Sequence, residues 1–237
     1  MDHKPETNQD PPTTRIVIAD DEELIRFGLM GILSREEDIE VVGEASTGTE
    51  ALRLCRNLRP DLVLMDVEMP EMDGLSATRQ LKEELPTTSV LVLTAYDNPD
   101  YLLEAVQAGA AGFLLKEGVL QQVASSVRRL MNGEPLLDQE LAVRLLRRLS
   151  PPVEGAESRE AAVDEELRAR FLEALTDREL EILDLLSGGM SNQQIALQLF
   201  LSLSTVKTHV HHIISKLEVS DRTQAAVRAI RLGLVSE

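Results

Sequence analysis

Asp66 closes the apolar run Leu62-Val63-Leu64-Met65, and Pro70 and Gly74 follow it closely, so one carboxylate stands where a buried stretch gives way to a loop. Alone, such a residue is more often a solvated turn aspartate. Three other apolar runs end the same way: Ile16-Val17-Ile18-Ala19 on Asp20-Asp21, Val90-Leu91-Val92-Leu93 on Thr94, and Phe113-Leu114-Leu115 on Lys116. Carboxylates gathered in one place repel one another, and keeping them all ionised calls for a hard cation. All-oxygen ligation with some waters retained suits Mg²⁺. A carboxylate beside that ion can attack a phosphoryl group and form an acyl phosphate. A threonine hydroxyl and a lysine ammonium can then bind the phosphoryl oxygens.

This chemistry requires elements that bring the four chain segments together. Short aliphatic runs bounded by turns read as strands buried on both faces, predicted at 15–19, 40–45, 62–66, 89–94 and 111–115. Between and after them, apolar residues recur at helical spacing, beginning with Leu24, Ile25, Phe27, Leu29, Met30 and Leu33 and continuing over 48–57, 74–84, 99–108 and 119–132. Five strands alternating with five helices predict a doubly wound α/β domain. With the flavodoxin-like strand order 2-1-3-4-5, the first and third strands are neighbours, and all the polar ends converge on one edge of the sheet.

The 237 residues suffice for two domains, and 43% hydrophobic content is that of a globular chain. A single cysteine, Cys55, excludes an internal disulfide and a cysteine-rich zinc site; its expected role is a small core hydrophobe on a helix. Residues 1–14 are polar, lack the apolar core of a signal peptide and read as a disordered tail, and no apolar run approaches the roughly 20 residues needed to span a bilayer. A cytoplasmic protein without a membrane partner is expected. The net charge of -17 is uneven: residues 1–175 hold 18 basic and 34 acidic side chains, residues 176–237 hold 6 and 7. The near-neutral end can therefore carry a basic face that the total conceals.

After 15–132, the stretch 133–174 reads as a linker with helical segments, one at 138–149 bearing Arg144, Arg147 and Arg148, the other a charged helix at 160–174 that docks on one neighbour. Ser150-Pro151-Pro152 marks an exposed joint between them. From 175 the chain is helical. Thr176-Asp177-Arg178-Glu179 forms a capping box, a helix follows at 180–186, and Ser191 caps another at 192–199. Ser202 or Ser204 caps a longer one that ends near Leu217. Short helix, tight turn and longer helix make a helix-turn-helix. In the longer helix Val206, Val210, Ile213 and Leu217 form the inward stripe, whereas Ser204, Lys207, Thr208, His211 and Ser215 lie opposite, where lysine can reach guanine and threonine a thymine methyl. His209 sits on the inner side as a structural residue, and the adjacent histidines His209, His211 and His212 lack the geometry of metal ligands.

Residues 15–132 resemble the receiver domain of bacterial two-component response regulators, on Ala19-Asp20-Asp21, Met65-Asp66 with Met69-Pro70 and Gly74, Leu93-Thr94-Ala95, and Phe113-Leu114-Leu115-Lys116. Residues 175–237 resemble the LuxR-type DNA-binding domain, on Leu175-Thr176-Asp177-Arg178-Glu179, Ser191-Asn192-Gln193-Gln194-Ile195-Ala196, Ser204-Thr205-Val206-Lys207-Thr208-His209-Val210 and Lys216-Leu217. The whole chain is thus similar to a NarL/FixJ-type response regulator. The resemblance implies that Asp66 accepts phosphate from the phosphohistidine of a sensor histidine kinase, and that Asp21, Asp66 and the main-chain carbonyl of Glu68 ligate Mg²⁺ with Asp20 supporting through water. It implies that Thr94 and Lys116 contact the phosphoryl group and that the rotamer of Phe113 follows Thr94, with Tyr96 at the mouth of the site. In the second domain it implies base reading by Lys207, Thr208 and His211, and phosphate contacts by Thr205 and Lys216, on double-stranded promoter DNA. His211-His212 and Gln193-Gln194 depart from the more basic or charged pairs of many relatives. Phosphorylation is expected to favour a homodimer, with the alanine-rich helix near 223–232 as a second dimer contact and RNA polymerase left open as a further partner. The only enzymatic turnover expected is phosphorylation and autodephosphorylation of Asp66 itself. A Mg²⁺-dependent phosphohydrolase is the rival reading, but its second aspartate would be expected where Glu68 stands, and it leaves 175–237 unexplained.

Overall fold

The computed structural model describes residues 13–95, 99–136 and 158–235. The expected tail before residue 13, Tyr96, and the predicted helix at 138–149 with its three arginines lie outside the described residues. Five parallel strands, β1 (Thr14–Ala19), β2 (Ile39–Ala45), β3 (Leu62–Asp66), β4 (Ser89–Thr94) and β5 (Gly112–Leu115), form one sheet in the order β2-β1-β3-β4-β5. This is the flavodoxin-like order. Helices α1 (Glu23–Leu33), α2 (Gly48–Leu58), α3 (Gly74–Glu84), α4 (Pro99–Ala108) and α5 (Val119–Met131) alternate with the strands.

The alternation of side chains along each strand explains the two-layered core. Val17, Val63, Met65, Val90 and Val92 pack on one face with Leu52, Cys55 and Leu81, while Ile16, Ile18, Leu62, Leu64, Leu91 and Leu93 pack on the other with Leu29, Leu33, Val123 and Val127. Every residue of β3 is buried, as its unbroken aliphatic run requires. Each such side chain contributes roughly 1.5–3 kcal/mol on leaving water, so the strand holding Asp66 is among the most firmly fixed parts of the domain. Cys55 is buried in the first of these layers, and burial pushes its thiol up to about 12, which makes it an inert core residue.

The second unit is helical: α6 (Ser158–Ala174), α7 (Asp177–Ser187), α8 (Asn192–Gln198), α9 (Leu203–Lys216) and α10 (Arg222–Arg231). Its caps follow from sequence. Thr176 with Glu179 and Ser191 with Gln194 both complete capping boxes. Of the two serines proposed for α9, Ser202 is the cap, accepting from the Thr205 amide at 3.1 Å. Val206, Val210, Ile213 and Leu217 are buried as the stripe predicted, in a core with Ile182, Leu183, Leu186 and Ile195. Phe171 and Leu175 belong to the same core, so the end of α6 packs with the helices that follow it. Ala225, Ala226 and Ala229 of α10 are buried there too. Small side chains there let α10 lie close against α7.

No described helix is long and apolar enough to cross a membrane.

Candidate functional site

Asp66 is the last residue of β3 and pairs in register with Leu93, one residue short of Thr94. Ala19 of β1 pairs with Met65, which brings Asp20 and Asp21 alongside Asp66. On the other side the Lys116 amide donates to the Thr94 carbonyl at 2.7 Å, extending the ladder just past β5. Parallel register thus gathers residues separated by up to 96 positions. The loop after β3 folds tightly back on Asp66: the Gly74 amide donates to the Val67 carbonyl at 2.9 Å, and a Cβ on Gly74 would stand 1.7 Å from the Asp66 carbonyl oxygen. Only glycine permits that approach.

Carboxylate oxygens of Asp20, Asp21 and Asp66 lie within 4.8 Å of one another. The Lys116 ammonium sits 3.0 Å from Asp66 Oδ2, 3.0 Å from Asp20 Oδ2 and 2.9 Å from Glu22 Oε1. Asp20 and Asp66 are almost fully buried, while Asp21 is exposed at the rim. Burial, reinforced by the charge of Asp20, raises the Asp66 carboxyl to about 6 against the opposing pull of Lys116 and the Glu68 amide. Asp20 is likewise raised, by burial above all. Burial works against the Lys116 ammonium too, but its bonds to Glu22, Asp66 and Asp20 outweigh that and hold it above the usual lysine range.

Two buried oxygens, Asp20 Oδ2 and Asp66 Oδ2, receive no hydrogen bond of acceptable geometry, although Lys116 faces both. The three clustered carboxylates and Glu22 thus share a single ammonium, and the negative charge left on their oxygens is what a hard, oxygen-seeking cation satisfies. The donor set therefore fits Mg²⁺, with Asp20, Asp21 and Asp66 as the side chains that would hold it. A cavity of about 210 Å³ opens above them, lined by Asp21, Glu22, Asp66, Glu68, Thr94 and Lys116 among others. Glu68 lines this cavity, and its amide donates to the Asp66 carboxylate. Thr94 is buried on the same wall.

Of the remaining predicted residues, Phe113 and Lys207 lie where the two units meet. Phe113, half-buried on β5, packs against Leu102 and Val106 of α4, and Val227 of α10 packs against the same pair. Beside it, Thr223 Oγ1 donates to the Ala111 carbonyl at 2.7 Å, and Gln224 Nε2 donates to the carbonyls of Ala110 at 2.8 Å and Val106 at 3.3 Å. Lys82 Nζ, at the end of α3, donates to Ser220 Oγ at 2.6 Å and to the carbonyls of Pro86 and Thr88, so all three of its N–H groups are used. On α9, Lys207 is ion-paired at 2.9 Å with Glu134, just beyond α5, and the Gly133 carbonyl accepts from Asn192 and the buried Arg222. Thr208 and His211 are exposed, Thr205 is half-buried near Ser202, and Lys216 is bonded to Glu179 at 2.6 Å. His209 is half-buried on the inner side, its Nδ1 without a partner.

The family model described as the response regulator receiver domain matches residues 16–128, and that for bacterial regulatory proteins of the luxR family matches residues 173–229. Transcriptional regulatory protein LiaR of Bacillus subtilis is 42% identical over 222 residues, which cover 94% of this chain and 99% of LiaR. The chain belongs to the NarL/LuxR-type response regulators. Response regulator protein VraR of Staphylococcus aureus is 40% identical over 223 residues, again 94% of this chain and 99% of the relative. Among solved structures, a LuxR-family two-component response regulator from Aurantimonas is 28% identical with a TM-score of 0.52, covering 57% of this chain and 97% of that one. As a NarL/LuxR-type regulator the chain has a receiver domain and a LuxR-type DNA-binding domain, a pairing that implies a sensor kinase and DNA as partners.

Sequence reasoning missed Glu22 as a partner of Lys116, because an acid following Asp20-Asp21 reads as the first turn of a helix. Glu134, Thr223 and Gln224 it missed entirely. No local pattern marks a residue whose partner is in the other domain.

Proposed function

We propose that this regulator is switched by Mg²⁺-dependent phosphorylation of Asp66 from the phosphohistidine of a sensor histidine kinase, and that the switch controls access to promoter DNA, probing its site as a dimer. Asp66 supplies the attacking oxygen; a P–O bond forms as the P–N bond to the kinase histidine breaks, and the histidine leaves with a proton. When bound, Mg²⁺ neutralises charge on the phosphoryl oxygens and on the acids around them. Lys116 already faces Asp66 and needs only to exchange carboxylate partners for a phosphoryl oxygen. Thr94, on the cavity wall, is placed to donate its hydroxyl to another. Autodephosphorylation by water is the only turnover this arrangement requires.

Movement of Thr94 toward the phosphoryl group vacates space that Phe113 can fill, and Phe113 shares its contacts on α4 with Val227. The domain pairing described above is then the resting form: it holds Lys207 on Glu134 and covers one face of α10. Phosphorylation favours a form in which those contacts are released. Lys207 is then free to join the exposed Thr208 and His211 in reading bases, with Thr205 and Lys216 toward the phosphates. The observation that carries this reading is the Lys116 ammonium 3.0 Å from both Asp66 and Asp20, beneath a cavity open to a phosphoryl donor. Incubation with acetyl phosphate and Mg²⁺ followed by intact-mass measurement tests it. One phosphoryl group should be gained by the wild type and none by Asp66→Asn or in chelator; labelling that persists in Asp66→Asn refutes it.

A further inference from the structure

Arg26 does not line the cavity above Asp66, yet its side chain ends directly behind the acidic turn. It is the fourth residue of α1, and helical side chains lean toward the helix N-terminus, which carries the guanidinium back to the β1–α1 connection. There Nη1 donates to the main-chain oxygen of Asp20 at 2.8 Å and to that of Asp21 at 3.3 Å. Nε lies 3.7 Å from Glu44 Oε2 at the end of β2, and the side chain is only 17% exposed. Glu22, the residue before α1, makes no side-chain cap; the Asp20 amide donates to the Ala45 carbonyl at 3.1 Å and Asp20 Oδ1 accepts from the Glu22 amide at 2.9 Å, but the carbonyls of Asp20 and Asp21 are held from the α1 side by Arg26.

Charge alone argues against an arginine in this position, because a cation near a cation site weakens binding there. The guanidinium, however, bonds carbonyls and leaves every carboxylate oxygen of the acid pair untouched. Its rigid fork can also span a carbonyl pair on one side and Glu44 on the other, which a single ammonium cannot do. We infer that Arg26 is a positioning residue for the metal: it braces the Asp20–Asp21 backbone so that both carboxylates stay clustered with that of Asp66, and it raises Mg²⁺ affinity despite its charge. The inference rests on the Mg²⁺-dependent reading of the site.

Two roles of Arg26 predict opposite signs. If it only contributes charge, Arg26→Gln binds Mg²⁺ more tightly; if it positions the acids, Arg26→Gln binds Mg²⁺ more weakly, by about tenfold as for other outer-shell supports of metal ligands. Calorimetric titration of the full chain with MgCl₂ reads the difference. Arg26→Lys, which keeps the charge and can reach one carbonyl, should fall between. Under acetyl phosphate the Mg²⁺ concentration giving half-maximal labelling of Asp66 should rise by the same factor in Arg26→Gln, with the rate at saturating Mg²⁺ within about twofold of wild type. Unchanged or tighter Mg²⁺ binding overturns the inference, as does a lower saturating rate with an unchanged Mg²⁺ dependence. Should Arg26→Gln unfold, Glu44→Gln takes its place: it unhooks one side of the guanidinium and should weaken Mg²⁺ by about threefold, and no change in it and in Arg26→Lys overturns the inference. A wild type that neither binds Mg²⁺ nor accepts phosphate refutes the site itself, whereas a wild type that does both, beside an unaltered Arg26→Gln, refutes the role of Arg26 alone.

Discussion

Replacing Thr223 by valine and Gln224 by alanine removes the shortest hydrogen bonds between α10 and the receiver, at 2.7 Å to Ala111 and 2.8 Å to Ala110. A hydrogen bond of this kind contributes about 1 kcal/mol net, and more when its loss leaves a buried carbonyl unpaired. The closed pairing should therefore weaken by about 2–3 kcal/mol, a shift of about 30- to 150-fold in the ratio of closed to released forms. Lys207 and Glu134 are each about one-third exposed, so their ion pair adds at most about 0.5 kcal/mol. If the closed form excludes DNA, the unphosphorylated double variant should bind a duplex selected with phosphorylated wild type up to that much more tightly than unphosphorylated wild type. The gain is capped where release is complete. Fluorescence anisotropy at one fixed salt concentration measures it, since salt alone shifts such affinities greatly. Reciprocity requires that the variant also accept phosphate from acetyl phosphate more readily, because docking and phosphorylation oppose each other through the same equilibrium. An unphosphorylated variant within twofold of wild type in DNA affinity, with its phosphorylated affinity intact, refutes the reasoning.

Three further outcomes are expected. In Asp66 the folded carboxyl is raised to about 6, so its contribution to stability is full below the unfolded value near 4 and is lost as pH rises through 6. Asp66→Asn should consequently stabilise the metal-free protein by about 2 kcal/mol at pH 7 and by little at pH 4, and urea melts at the two values test this; equal stabilisation at both would refute it. Gly74→Ala must displace the loop from the Asp66 carbonyl, and a loss of about 2 kcal/mol or more with failure of acetyl phosphate labelling is expected. Ser202→Ala should cost about 1 kcal/mol in thermal unfolding of the helical unit by removing the cap of α9, with weaker DNA binding and unchanged phosphorylation of Asp66.

Much of the acidic edge was legible because parallel strands buried on both faces leave a plain mark: aliphatic runs, each ending abruptly on a polar residue. Asp20, Asp66, Thr94 and Lys116 all follow such runs, and the predicted spans of α3, β4 and α4 coincide with those observed. The capping boxes at Thr176 and Ser191 were equally plain, since the cap and its partner are three residues apart. Helix α10 shows the opposite case. Its alanines face inward on α7, and its outward residues Thr223, Gln224 and Val227 meet the receiver, a division that depends on what packs on each side. Arg26 escaped notice for a related reason: its contacts are carbonyl oxygens, which every residue possesses and no side-chain pattern reveals.

By itself the sequence determined the strands, the helices and the polar residues that end the strands, because hydrophobic periodicity and cap spacing act over a few residues. Tertiary structure alone decided that Lys116 faces three carboxylates at once and that Lys207 is held by Glu134. Those facts turn on ångström distances between groups far apart in the chain, and Coulombic and hydrogen-bond energies change over just such distances.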